Sequence, residues 1–437
     1  MKAHQILPTL KQYILTDGFR LLPDFDRSQG SFVVDLASGE AYLDFCTFYA
    51  SMPIGYNHPA FRSEEFREDV LRYSVFKPSH PDFYSVPYAR FVEKLASMLP
   101  DDMRRLFFID TGALAVENAM KAAFDWKARK NLQKNVSGGA DQILHFKRAF
   151  HGRTGYALSA TDSPHTAKTK YFPRFGWPMF DPPVLRFPDD PDYEKRVQKC
   201  LGEIDAWCVS HPDAAAALIV EPVQGEGGDR HFGKSFFEGL RKLADEHEFL
   251  LIFDEVQSGM GLTGKNWAHQ NFGVQPDILV FGKKAQVCGI AAGPRIDEIR
   301  DNVFRVSSRI SGTWCGNAID YLRGALAIGV IQQDHLVENA AKRGKTLLSG
   351  LKALEEDFDQ VTQARGLGLM AAIDLPDEET CKRVVRRCYE HEKMLLLTSG
   401  THTIRFRPVL DVTDEVIEDG LTRLRSALAA ESEMAKA

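Results

Sequence analysis

The sequence contains little that would tie it to a membrane, a nucleic acid or an oxidising compartment. No apolar run approaches the roughly 18 residues of a membrane span, and no signal peptide is expected from Met1-Lys2-Ala3-His4-Gln5. There is no basic excess: the net charge is -6 and the pI about 6.1, which gives no reason to expect nucleic acid or an anionic membrane as a partner. The seven cysteines, at 46, 200, 208, 288, 315, 381 and 388, include no C-x-x-C pair and no His/Cys cluster with zinc spacing, so neither a disulfide framework nor a metal site is expected. They read as thiols in a reducing compartment, and a cytoplasmic enzyme is the expectation. Cys381 and Cys388 are seven apart, on one face of an expected helix, where packing accounts for them. Internal repeats and low-complexity segments are absent.

What is present is an ordinary globular composition, 44% hydrophobic and 26% charged, over 437 residues, enough for a large core and two or three domains. Apolar runs that stop at polar or glycine-rich turns recur along the chain. Leu106 to Ile109, Ile143 to Phe146, Ala214 to Val220, Leu250 to Phe253 and Ile278 to Phe281 read as buried strands, and helical spacing falls between them. Helices are expected over 6–15, 64–75, 85–99, 114–130, 200–209, 236–247, 318–333, 336–354, 378–391 and 414–430. Residues 31–35 and 41–44 form two short strands around Ser38-Gly39, 164–196 reads as a long loop, and further strands lie near 365–374, 394–397 and 403–407. The pattern implies an α/β fold: a large domain over 51–317 and a second, α+β unit over 318–437 entered by a long connecting helix.

Two strand ends carry the chemistry. Leu250 to Phe253 stops at Asp254, and Ile278 to Phe281 stops at Gly282-Lys283. Ligands of open α/β sheets bind outside the carboxyl ends of the strands, so this acid and this amine face one crevice. Pyridoxal phosphate needs that pair: an amine to hold its aldehyde as a Schiff base and a carboxylate to keep its pyridine nitrogen protonated. Gln257 is close enough to reach the ring's phenolic oxygen. Acids and lysines also end strands at any α/β surface, so the spacing alone leaves a bland alternative. Asp110-Thr111-Gly112-Ala113 joins a strand to a long helix, either a phosphate site at a helix N-terminus or a plain βα loop. Phe150 at a strand end either stacks on a planar ring or packs in the core, and Arg153 offers a fork for a carboxylate or a surface salt bridge. Glu221 and Glu226, five apart in the Gly-rich turn Glu221-Pro222-Val223-Gln224-Gly225-Glu226, look more functional than structural. The aromatic stretch Phe45 to Ile54 is a pocket wall or a connector.

Read together, Thr111-Gly112-Ala113 leading into Glu117-Asn118-Ala119, Phe150-His151-Gly152-Arg153, the Glu221 to Glu226 turn, Asp254-Glu255-Val256-Gln257-Ser258-Gly259, Phe281-Gly282-Lys283, Thr313, Arg365-Gly366-Leu367-Gly368 and Ile404-Arg405-Phe406-Arg407-Pro408 resemble the class III (ω-amino acid) aminotransferases of the fold-type I pyridoxal phosphate superfamily. The resemblance covers nearly the whole chain. Its wording is nearest to the branch that acts on the ε-amine of L-lysine, at Gly225 to Phe232, Ala122 to Lys127 and Phe281 to Gly289. Two departures stand out: Ala113 where many members have Ser, and Ser311 where the lysine branch has Asn.

The resemblance implies a large domain with a mostly parallel seven-stranded sheet and a small domain built from both chain ends. It also implies roles for residues. Lys283 would be the Schiff base and proton shuttle, chosen over Lys284 because the family places its lysine directly after the Gly or Ser that ends the strand. Asp254 would be the pyridinium partner, Gln257 the contact to the ring oxygen, and Phe150 the stacking ring. Gly112 and Ala113 would hold the phosphate, with His151 and Glu221 also at the cofactor. Thr313 would reach the phosphate in the neighbouring subunit of a homodimer. Arg153, Glu226, Arg405 and Ser311 would meet substrate. Because an unpaired arginine in a partly dry site is costly, Glu226 is expected to pair with Arg405 while lysine reacts and to leave it when 2-oxoglutarate takes the amine. The implied reaction converts L-lysine and 2-oxoglutarate into 2-aminoadipate 6-semialdehyde and L-glutamate. An ornithine or 4-aminobutyrate aminotransferase is the alternative within enzymes, and a non-catalytic binding protein the alternative outside them.

Overall fold

The computed structural model describes residues 1–436. At its centre is a seven-stranded sheet in the order Arg105–Ile109, Cys288–Ala292, Ile278–Phe281, Leu250–Asp254, Ala215–Val220, Gln142–Phe146, Met179–Phe180. Neighbouring strands run parallel except Cys288–Ala292, which lies antiparallel to the strands on both sides of it. Every residue of Ala215–Val220 and Leu250–Asp254 is buried, as continuous apolar runs require when both sheet faces are covered.

The alternation along each strand decides which layer a residue joins. Ile252, Ile219 and Val280 meet the alanine-rich side of Gly112–Gln133 through Ala115, Ala119, Ala122 and Ala123, whose small side chains let a long helix lie close on the sheet. Leu251, Phe253 and Leu218 point the other way, to Phe236, Phe237 and Leu240 of Lys234–Glu246 and to Val197 and Ile204 of Tyr193–Ser210. Full burial of each such side chain contributes about 1.5–3 kcal/mol before entropy is counted. With both faces closed, polar groups at the sheet's carboxyl edge are what remain open to a ligand.

The long helix Ala318–Gln333 spans the expected residues and packs on Val86–Ala96, with Tyr321 stacked on Tyr88 at 4.7 Å between ring centroids. After it come Leu336–Asp357 and a four-stranded antiparallel sheet ordered Thr362–Leu367, Met370–Asp374, Thr403–Phe406, Leu397–Ser399. Pro23–Gln29, Phe32–Asp35 and Ala41–Asp44 form another sheet, completed by Met394–Leu395, which runs parallel to Ala41–Asp44. The two ends of the chain therefore share one sheet.

Several expected elements are placed differently. The first helix is Ala3–Lys11 rather than 6–15, with Pro8 inside it and no buried residue, so no packing fixes its limits. The strand Pro23–Gln29 carries too few apolar residues to announce itself, and Cys288–Ala292 is too small-residued; long-range pairing makes both. The expected loop 164–196 yields the strand Met179–Phe180 and the first turn of Tyr193–Ser210, whose Glu194-Lys195-Arg196 are the polar face of a helix. The expected strand 394–397 is two strands in two sheets. Within 45–54, Thr47–Ala50 is a turn in which all four residues have positive φ, between 47° and 65°. Such a backbone costs L-residues roughly 1–2 kcal/mol each, and contacts described below hold it.

Candidate active site

The loops at the carboxyl ends of the parallel strands converge on a cavity of about 350 Å³. Gly112, Ala113, Phe150, His151, Arg153, Glu221, Glu226, Asp254, Gln257 and Lys283 all line it. Arg405 adjoins it behind Glu226, with its Nη2 3.7 Å from Glu226 Oε2. Ser311 and Thr313 do not line it: both are exposed, and Ser311 borders a different cavity beside Phe107 and Val306.

Asp254 ends its strand with both oxygens engaged. Oδ2 lies 2.8 Å from His151 Nδ1, and Oδ1 accepts the Val256 N–H at 3.1 Å. His151 is buried, and facing a carboxylate makes its Nδ1 the protonated nitrogen; its Nε2 is buried without a partner among the described residues. The acid's orientation is thus fixed by an imidazole behind it.

The lysines are separated by the tight turn that follows Ile278–Phe281, where Lys283 has φ +48° and Gln286 φ +64°. Lys283 faces the cavity and donates to the Tyr49 carbonyl at 2.9 Å. Lys284 is buried away from the cavity and donates to the Ala50 carbonyl at 2.8 Å, and Gln286 donates to the Ser51 carbonyl at 2.8 Å. Three side chains from one turn therefore hold the strained backbone at 47–51. Burial, with Arg405 and Arg407 nearby, brings the Lys283 amine down to about 8. Burial, then Arg407 and Lys283, drive the Lys284 amine well below the ordinary lysine value.

The helix Gly112–Gln133 begins at the cavity wall, and the first amides of a helix have no partner within it. Thr111 caps it, its hydroxyl accepting the Leu114 N–H at 3.4 Å. The turn through Gly152 lies so close that a Cβ there would be 2.5 Å from Ala113 Cβ, and its φ of +126° already favours glycine. Glu221 accepts the N–H groups of Phe150 at 2.8 Å and Gly225 at 3.1 Å, tying two cavity loops together. Burial, then the Asp254 and Glu226 carboxylates, hold its carboxyl well above the usual range.

Three contacts in the site leave no mark in the local sequence. Lys168, from the expected loop, forms an ion pair with the other oxygen of Glu226, and nothing in its local sequence signals that. Gln257 Oε1 accepts from Arg407 Nε at 3.1 Å and Nη2 at 2.9 Å, which fixes its amide and leaves Nε2 without a protein partner among the described residues. Arg407, 1% exposed, also pairs with the fully buried Asp229. Both belong to motifs already singled out, and only their distance in sequence concealed the pair.

An amine and an imidazole-backed carboxylate on adjacent strand ends, a helix N-terminus, and an aromatic ring at one cavity fit pyridoxal phosphate. Lys283 would hold its aldehyde, Asp254 its ring nitrogen and the 112–113 amides its phosphate. The orphaned Nε2 of His151 marks the same wall as polar.

Known proteins agree. The description of class III aminotransferases matches residues 17–428. The L-lysine-epsilon aminotransferase of Streptomyces clavuligerus is 42% identical, over 99% of this chain and 96% of that protein. The mitochondrial 4-aminobutyrate aminotransferase of Mus musculus is 33% identical, over 94% of this chain and 86% of that protein. The solved lysine aminotransferase of Mycobacterium tuberculosis superposes with a TM-score of 0.96 at 43% identity, covering 99% of this chain and all of that one. Fold, site and relatives lead to one assignment: the chain belongs to the class III aminotransferases, fold-type I enzymes that work with pyridoxal phosphate.

Proposed function

We propose that this aminotransferase moves the ε-amine of L-lysine to 2-oxoglutarate, giving 2-aminoadipate 6-semialdehyde, which cyclises to piperideine-6-carboxylate, and L-glutamate. The observation that carries this reading is Glu226, placed between two cations, Arg405 at 3.7 Å and Lys168. Transamination makes one site accept two substrates in turn. 2-Oxoglutarate has a carboxylate beside its reacting carbon, and the ε-carbon of lysine has none. A buried arginine suited to the first substrate needs a substitute anion for the second.

Bound pyridoxal phosphate supplies an aldehyde for the amine exchange and a ring that accepts the electron pair released at the substrate carbon. The protein does the rest. Asp254, oriented by His151, holds a positive charge at the ring nitrogen. Lys283 Nζ, neutral in a useful fraction near pH 8, takes the proton from the ε-carbon of lysine and later returns one to C2 of the incoming 2-oxo acid. While lysine reacts, Glu226 neutralises Arg405. When 2-oxoglutarate enters, its C1 carboxylate takes the Arg405 fork and Glu226 turns fully to Lys168. Arg153, exposed at the cavity rim, holds the distal carboxylate of either substrate.

Ser311 and Thr313, exposed and outside this chain's cavity, serve the site of a second copy, with Thr313 at its cofactor phosphate. The enzyme is then a homodimer whose subunits complete each other. We divide each subunit into 51–317 around the cofactor and 318–437 with 1–50 as the smaller domain, supported by the sheet that joins both chain ends. Seven free thiols support a cytoplasmic setting, and no described helix is long and apolar enough to cross a membrane.

The test is the product. With 2-oxoglutarate as acceptor, L-lysine should yield the six-carbon semialdehyde at a kcat/KM at least tenfold above that for ornithine or 4-aminobutyrate. A preference for either of those would replace lysine as the donor, and no glutamate from any ω-amine would remove the reading.

A further inference from the structure

A second cavity, of about 380 Å³, lies between the segments 182–196 and 227–230 on one side and 363–374 and 400–403 on the other. It shares no lining residue with the active-site cavity, yet one loop serves both: Glu226 lines the first, and Gly227 and Gly228 line the second. Five arginines face it, at 148, 186, 196, 230 and 365, against a single lining carboxylate, Asp374. Arg365 pairs with Asp374 at 2.7 Å, and Arg196 pairs with Asp190. Among the described residues, Arg148, Arg186 and Arg230 have no carboxylate in ion-pairing range.

Three unpaired guanidinium groups beside one cavity repel one another. At Arg230, burial first and then Arg148 and Arg365 lower the guanidinium below its ordinary value, with Asp374 and Asp181 opposing. The backbone that gathers them is strained: Arg148 has φ +63°, Asp229 φ +45° and Gln363 φ +55°, conformations that L-residues seldom adopt. Gly227 lets the loop press on Arg148, since a Cβ at 227 would lie 2.2 Å from the Arg148 carbonyl oxygen. Arg148 and Arg230 are half-buried, where charges serving solubility alone would stand in open water; Arg186, on the same cavity, is exposed.

We propose that this cavity is a binding site for a compact polyvalent oxyanion, a phosphoryl-bearing small molecule or a dicarboxylate, held by Arg148, Arg186 and Arg230. The planar fork of arginine matches both groups with paired hydrogen bonds, and the volume admits more than a simple inorganic ion. Thr401 and His402 line the opposite wall, so an occupant would touch both sides of the cleft.

Titration calorimetry on the cofactor-saturated enzyme at constant ionic strength tests this, because the loaded cofactor keeps the probe out of the 112–113 amide cup. Sodium pyrophosphate and sodium succinate are the two probes, with sodium chloride setting the ionic strength. One saturable site per chain is expected for at least one probe, and the tighter of the two names the class of the ligand. Arg230→Gln and Arg186→Ala should each weaken that site about tenfold or more, while the cofactor absorbance stays unchanged. Arg186 is exposed, so its replacement leaves the core intact should Arg230→Gln fail to fold. Succinate also meets Arg153 and Arg405 of the active site, so only the component lost in Arg230→Gln or Arg186→Ala supports the proposal, and succinate binding wholly unchanged in both variants counts against it. The proposal fails if neither probe binds saturably, or if both variants bind as the parent does.

Discussion

Glu226→Ala isolates the exchange of partners at Arg405. Arg405 is 4% exposed, its Nε has no partner, and Glu226 is its only carboxylate in ion-pairing range among the described residues. Removing one partner of a buried ion pair costs about 3–5 kcal/mol. Here the contact is long at 3.7 Å, Lys168 shares the carboxylate, and the cavity admits water, so about half of that applies. A loss of ~2 kcal/mol is about thirtyfold in rate, and it falls on the lysine half-reaction alone. Glutamate brings its own carboxylate to Arg405 and no longer has to displace Glu226, so its half-reaction keeps its rate or gains. Stopped-flow half-reactions that follow the cofactor absorbance should show the kcat/KM ratio of lysine to glutamate falling about thirtyfold. A ratio within threefold of the parent would refute the exchange.

Three further outcomes follow from the same geometry. Lys168→Met removes the cation that receives Glu226, so the 2-oxoglutarate half-reaction should slow about threefold to tenfold with the lysine half-reaction little changed, as single-turnover rates would show. In cofactor-free protein the Lys283 amine is held down to about 8 and only its neutral form captures an aldehyde; cofactor uptake should rise with pH and level off above about 8, whereas a plateau only beyond pH 10 would indicate an ordinary lysine. Gly152→Ala puts a methyl group 2.5 Å from Ala113 Cβ, in a backbone with φ +126°, so melting curves should show a loss of about 1–3 kcal/mol and equilibrium titration a weaker hold on the cofactor phosphate.

The site was readable where its chemistry coincides with a change in local pattern. Lys283 and Asp254 each terminate a fully buried apolar strand, and that interruption locates them before any tertiary information exists. The long helix Ala318–Gln333 was equally plain because its period is sustained. Contacts made across the chain left no such trace. The left-handed turn Thr47–Ala50 contains no glycine and is held by Asp44, which accepts the Thr47 N–H, and by Lys284, which donates to the Ala50 carbonyl from 234 residues away. Lys168 reaches Glu226 from a segment without a hydrophobic period, and Cys288–Ala292 becomes a strand only between two partners. Asp229 and Arg407 stood inside motifs already noted, yet their pairing is a property of the fold.

Which amine carries the cofactor decides the chemistry of the whole site. Reduction of the cofactor-loaded enzyme with borohydride, followed by peptide mass spectrometry, should place one pyridoxyl group on Lys283 and none on Lys284, which is turned away and bonded to Ala50. A label on Lys284, on another lysine, or nowhere would contradict that assignment.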